Sequence, residues 1–172
     1  MKIEIQSNHQ VPEDERRQMD AWLDQVFGYD NLGIEWAKGD WSVLVRLDDQ
    51  IVSHVGIVER VGKVNGQPVK LGGIGGVATR VEYRKRGLAR VAMEKAAEFM
   101  RDGLGVEFGL LICSKPMTPY YSKLGWQVVE GPMMFDQARG KVTFGDQTKI
   151  MILPWDKHDW PQGVIDLCGP PW

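Results

Sequence analysis

Polar and apolar side chains alternate from Lys2 to Gln6, the two-residue period of a short strand. The period changes after Val11-Pro12-Glu13-Asp14-Glu15, where proline and acids gather as they do in a first helical turn. Met19, Trp22, Leu23, Val26 and Phe27 then recur at three- and four-residue steps, which predicts an amphipathic helix ending at Gly28. A loop with Gly28, Gly33 and Gly39 leads into a meander of strands, Trp41 to Leu47, Ile51 to Val61 and Val69 to Thr79. Asp48-Asp49 supplies the first turn. Gly62 and Asn65-Gly66-Gln67-Pro68 supply the second, Asn-Gly being a strong hairpin signal.

Helical spacing returns over residues 88–101. Leu88, Val91, Ala92, Ala96, Phe99 and Met100 share one face; Arg90, Glu94, Lys95, Glu98 and Arg101 share the other, and Asp102-Gly103 stops the helix. Phe108 to Cys113 is a continuous apolar run, as in a strand buried on both faces. A short helix around Pro119 to Leu124 ends at Gly125, and strands at Trp126 to Glu130 and Lys149 to Leu153 follow. This order predicts one mixed α/β (α+β) domain over residues 1–172. Its central sheet is mostly antiparallel, with helices on both faces and one parallel crossover.

Composition narrows the partners. A chain of 172 residues, 43% hydrophobic and 26% charged, has the make-up of a soluble domain. A net charge of −2 gives no reason to expect nucleic acid or an anionic membrane as partner. The two cysteines, Cys113 and Cys168, make no disulfide framework, the start has no signal-peptide pattern, and no apolar run is long enough to span a membrane. A cytoplasmic location is expected. His9, His54 and His158 lack ligand spacing, so no metal is expected; Cys113 reads as a small core residue and His54, mid-strand, as packed or half exposed. Met133-Met134, after Gly131-Pro132, reads as core filler or a pocket edge. The excesses are 20 glycines and seven tryptophans.

The glycines concentrate in Leu71 to Ala89, LGGIGGVATRVEYRKRGLA. Gly72, Gly73, Gly75 and Gly76 weaken a strand by entropy, so a bulge or another backbone lying close is expected there. A bulge would splay this strand from Phe108 to Cys113 and leave peptide groups of Val77, Ala78 and Thr79 to pair with an extended ligand; a twisted buried strand is the alternative. Arg84, Lys85, Arg86 and Gly87 then open a helix through Leu88, Ala89 and Arg90. Unpaired N–H groups and positive charge suit a pyrophosphate; a solvated basic turn is the plain alternative.

Strand, then Arg84-x-x-Gly87-x-Ala89, then helix, buried strand and Tyr121-x-x-x-Gly125-Trp126, resembles the acyl-CoA-binding core of the GNAT superfamily of N-acetyltransferases. The resemblance implies a splayed strand pair holding acetyl-CoA as cosubstrate. The pyrophosphate would sit on residues 84–90, the pantetheine arm along Val77 to Thr79, and the Val77 N–H on the thioester oxygen. Tyr121 would be the general acid that protonates the leaving thiolate, with Tyr120 its rival. A phenol near pKa 10 keeps its proton at neutral pH, and such catalysis contributes about 10²–10⁴-fold.

A narrower similarity, carried by Ile34-Glu35-Trp36, the Trp41 to Arg60 hairpin, Gly76-Val77-Ala78, Met151-Ile-Leu-Pro154 and the end at Trp172, is to the aminoglycoside 2′-N-acetyltransferases. It implies Glu35, Asp146 and the Trp172 carboxylate in the acceptor pocket, a small cationic amine as substrate, a homodimer, and a part in antibiotic resistance. Gly75 departs from that pattern, which has a carboxylate at this position. Two other readings stand beside it: acylation of a peptide or protein amine, and a non-catalytic acyl-CoA sensor.

Overall fold

In the computed structural model, which describes residues 1–29, 33–145, 147–155 and 159–172, ten strands form one sheet. β1 (Lys2–Ser7) pairs antiparallel with β2 (Trp41–Leu47), and α1 (Glu13–Phe27) lies between them in sequence. β2 leads into β3 (Gln50–Val64) and β4 (Gln67–Thr79), both longer than the alternation predicts. Gly62 is inside β3, opposite Val69, and the turn is confined to Asn65 and Gly66. Asn65 and Gly66 have φ of 48° and 80°, and Asp48 and Asp49 have 47° and 64°. Two left-handed residues give the hairpin turn whose twist suits the flanking strands.

α2 (Leu88–Glu98) carries the chain from β4 to β5 (Phe108–Ser114), the parallel crossover of the sequence reading. Helical hydrogen bonding to Arg101 was expected, but the last turn widens at Phe99. The Leu104 N–H bonds to the Phe99 carbonyl at 3.0 Å, and Met100 drops fully into the core. α3 (Thr118–Ser122) precedes β6 (Gln127–Val129). β7 (Met133–Gln137), β8 (Gly140–Thr143), β9 (Thr148–Pro154) and β10 (Ile165–Asp166) complete the order β6-β9-β5-β4-β3-β10-β7-β8. β7, β8 and β10 were not anticipated. β10 adds a second parallel pair, with β7, and Met133 is core rather than pocket edge.

The helices cover opposite faces, as the alternation along β2 requires. Val43 and Val45 meet α2 through Ala92, Met93 and Ala96. Leu44 meets α1 through Met19, Trp22 and Leu23. Each of these valine, leucine and methionine side chains stabilises the fold by about 1.5–3 kcal/mol on burial. Arg46 ties α1 to the sheet, its guanidinium bidentate on Glu15 and its Nε on Glu4, and it holds the Glu15 carboxyl below the usual carboxylate range. Among the described residues no helix is long and apolar enough to cross a membrane.

Candidate active site

β4 changes character halfway along. From Leu71 to Ile74 it pairs in parallel register with Phe108 to Leu111 of β5; from Gly75 onward β5 turns away to run only with β9. On its other side β4 bulges. His54 faces Ala78 and Gly56 faces Gly75, so Gly76 and Val77 together oppose Val55. Gly76 has φ of 60°, the left-handed first residue of such a bulge. Its carbonyl lies 2.7 Å from His54 Nδ1, and its backbone faces the hydroxyl of Tyr29, whose pKa burial pushes up to about 12.

The neighbouring glycines answer to the protein itself. A Cβ on Gly72 would overlap Met100, and one on Gly73 would overlap the indole of Trp172. One on Gly75 would lie 2.9 Å from the main-chain carbonyl carbon of Trp172. Trp172, 7% exposed, lies across the β4–β5 pair and donates from Nε1 to Leu110 O at 3.2 Å. Arg60 sits over its ring at 5.2 Å and bonds Pro170 O at 2.6 Å. The Trp172 side chain is therefore core. Only its main chain borders the open half of β4, and that main chain fills the place where the resemblance calls for a carboxylate side chain at position 75.

The open half runs into a 3₁₀ turn, Val81–Tyr83, and then the basic turn. Lys85 and Gly87 have φ of 63° and 76°, and among the described residues no side chain caps α2. Alternating backbone handedness before a bare helix start forms a concavity lined with N–H groups, a natural anion seat. Space is open at Gly87, where a Cβ meets no described residue within 4 Å. Arg84 Nε donates to Thr79 O at 3.1 Å, which fixes the turn on the strand, and Arg86 packs over Tyr83 at 5.2 Å. Among the described residues Arg84, Lys85 and Arg86 form no ion pair with a carboxylate. Leu88 is buried, Ala89 half-buried, and Arg90 exposed beside Glu94 at 3.8 Å.

Tyr120 and Tyr121 look in different directions. Tyr121 is 7% exposed, and its hydroxyl is held protonated well above the usual range, first by burial, then by Cys113, Tyr120 and Tyr29. Cys113 is near the end of β5, and Tyr29 has its hydroxyl on the Gly76 backbone at the bulge. Tyr120 is raised first by burial, and its charged neighbours are Arg90 and Glu94 of α2. Its buried hydroxyl has no hydrogen-bond partner among the described residues.

The acceptor residues implied by resemblance are less gathered. Glu35 is exposed; its main chain is held by Gln137, whose amide accepts from Glu35 N at 2.7 Å and donates to Glu35 O at 2.9 Å. Asp146 and His158 lie outside the described residues. Trp36 belongs to a row of aromatic rings, 5.1 Å from Tyr29 and 6.1 Å from Phe144, while Trp41 packs on Phe99. Sequence reasoning missed Tyr29, which has no motif around it, and the place of His54 behind the bulge.

Residues 9–129, which contain the bulge, the basic turn, α2 and Tyr121, match the family described as an acetyltransferase (GNAT) domain. The chain is similar to Escherichia coli ElaA at 15% identity over 88% of this chain and 97% of that one, with a TM-score of 0.64. Escherichia coli YhbS, a GNAT family N-acetyltransferase solved in complex with CoA, is 16% identical over 97% and 89%, TM-score 0.61. A Brucella melitensis GNAT family acetyltransferase in complex with acetyl-CoA is 16% identical over 95% and 94%, TM-score 0.57. Identities this low speak for the shared fold alone.

Proposed function

The chain belongs to the GNAT acetyltransferase family, and on that premise we propose that it moves an acetyl group from acetyl-CoA to the primary amine of a small cationic acceptor. The observation that carries this reading is one continuous track: the gap beside β4, its bulge, and the uncapped start of α2. The bare N–H groups of Leu88, Ala89 and Arg90, with Arg84, Lys85 and Arg86 around them, would take the pyrophosphate. Peptide groups of Val77 to Thr79 would pair with the pantetheine arm as an added strand does.

The Val77 N–H would then donate to the thioester oxygen as negative charge builds there during attack by the amine. When the tetrahedral adduct collapses, the C–S bond breaks and the sulfur leaves with its electron pair. Tyr121 gives that sulfur a proton. Its apolar surroundings raise the phenol, and the same surroundings destabilise a thiolate, so the transfer stays matched. The amine nitrogen sheds a proton as well; no side chain at position 75 has room to take it, so it leaves through water and returns the Tyr121 phenolate to a phenol.

The test is thiol release from acetyl-CoA over a panel of aminoglycosides, polyamines and peptides, with coenzyme A affinity measured by calorimetry. Gly87→Glu should weaken coenzyme A by at least about a hundredfold, near 2.8 kcal/mol, by placing a carboxylate in the anion seat. Tyr121→Phe should lower kcat by about 10²-fold or more with affinity kept. Tight coenzyme A binding without turnover on any amine would leave a sensor instead. Unchanged affinity in Gly87→Glu would remove the phosphate assignment.

A further inference from the structure

Behind the bulge runs a row of polar groups, His54 and Ser42 buried and Asn8 half-buried, that the chemistry above leaves unused. His54, 4% exposed on β3, has Nδ1 2.7 Å from Gly76 O and Nε2 3.1 Å from Ser42 Oγ on β2. Ser42 Oγ lies 2.7 Å from Asn8 Oδ1, and Asn8 Nδ2 donates to Gly39 O at 2.6 Å. The row crosses from β4 through β3 and β2 to the segment after β1. A carbonyl only accepts, so Gly76 O requires the imidazole proton on Nδ1. Nε2 of the neutral ring is then an acceptor and shares the single Ser42 hydroxyl proton with Asn8 Oδ1.

A histidine committed in this way is no base for the amine. Its one donor is on a carbonyl and its ring is closed to solvent. The carbonyl it holds is the informative part. Gly76 C=O and Val77 N–H are the two ends of one planar peptide group, so they point in opposite directions and turn together. The bulge removes this peptide from the regular ladder, so that without another partner it would be free to swing. A hydrogen bond on the carbonyl both fixes the plane and polarises the N–H at its other end. The glycine is needed for the same arrangement, because a Cβ at 76 would stand 3.2 Å from the imidazole.

We propose that His54 is the positioning residue of the transfer: by holding the Gly76 carbonyl it aims the Val77 N–H at the thioester oxygen. The inference rests on the acetyl-transfer reading. It adds a residue that touches neither substrate and works through one peptide plane.

The test compares His54→Leu, which has no donor, with His54→Asn, whose Nδ2 stands where Nδ1 does. His54→Leu should lose about 10–100-fold in kcat, the cost of a misplaced transition-state donor, with coenzyme A affinity within about threefold. His54→Asn should recover most of the lost kcat. In amide spectra the Val77 proton should move downfield with acetyl-CoA but not with coenzyme A. This should hold in the parent and His54→Asn and fail in His54→Leu. Parental kcat in His54→Leu, or an Asn variant no better than the Leu variant, overturns the proposal. If the parent turns over no amine, the transfer reading falls, and hydrogen exchange still decides the role of His54. Faster exchange of the Val77 amide in His54→Leu than in His54→Asn supports it, and equal exchange overturns it.

Discussion

The two halves of β4 each contain a glycine pair, Gly72-Gly73 and Gly75-Gly76, and use it differently. In the closed half the strand is hydrogen-bonded on both edges and sandwiched between Met100 on one face and Trp172 on the other. Glycine there is a matter of volume, since any side chain would strike a neighbour already packed to interior density. In the open half β5 has left, and Gly76 is a matter of conformation, because its φ of 60° disfavours every other residue. Gly75, pressed by the Trp172 main chain, marks the border. The same residue type thus builds a wall in one half and, in the other, a peptide outside the ladder that His54 holds from behind.

The largest break in that comparison is expected at Gly73. A valine there must evict the Trp172 indole, and losing a buried tryptophan costs about 3–5 kcal/mol. Denaturant melts of Gly73→Val should show a loss of that size. The protein that remains folded should keep its coenzyme A affinity, because the anion turn is far along the chain from this contact. A loss below about 1 kcal/mol would mean that the C-terminal segment is not part of the core.

Much of the frame was legible because it is local. Alternation at Lys2 to Gln6 and Trp41 to Leu47, the apolar stripe of Leu88 to Ala96, and Asn65-Gly66 each act within a few residues. The bulge was legible too, through the cost of four glycines in one strand. What escaped depends on partners far away in sequence. Met133 to Gln137 has neither alternation nor branched residues and becomes a strand only because Ile165-Asp166 and Gly140 to Thr143 flank it. The resemblance speaks only for the Trp172 carboxylate, and the main-chain end of that residue does lie beside Gly75; what has no local signature is the packing of its ring on a glycine 99 positions earlier (172 minus 73). His54 looked like any histidine in a strand, since only the register with β4 sets it behind Gly76.

A second test uses pH to read the pin behind the open half. Burial lowers the pKa of His54 from 6.5 to about 4, against the Gly76 carbonyl, which raises it. The unfolded chain therefore takes up the proton first as pH falls through 6.5, and stability is lost progressively toward pH 4. Between pH 7 and pH 5 the loss should be about 2 kcal/mol. The carboxylates held low by ion pairs, Glu4 and Glu15, act below about pH 4.5 and do not share that window. His54→Asn should flatten the profile between pH 7 and pH 5. A flat profile in the parent would mean that His54 takes up its proton over the same pH range folded as unfolded, so that the row from Gly76 to Asn8 tolerates an imidazolium at pH 5.

The smallest expected loss of stability, and the sharpest separation of the two halves, is at Gly76. Alanine in a left-handed conformation costs about 1–2 kcal/mol, and its Cβ at 3.2 Å from the imidazole needs only a few tenths of an ångström of yielding. Relief is available by rotating the Gly76–Val77 peptide toward ordinary strand geometry, and that same rotation swings the Val77 N–H off the thioester. Gly76→Ala should therefore melt close to the parent while its kcat falls on the order of tenfold or more, the opposite of Gly73→Val. Coenzyme A affinity, set at the start of α2, should hold. If Gly76→Ala loses stability but not turnover, the bulge is only another packed corner of the sheet, and the division of β4 into a wall and a working half is wrong.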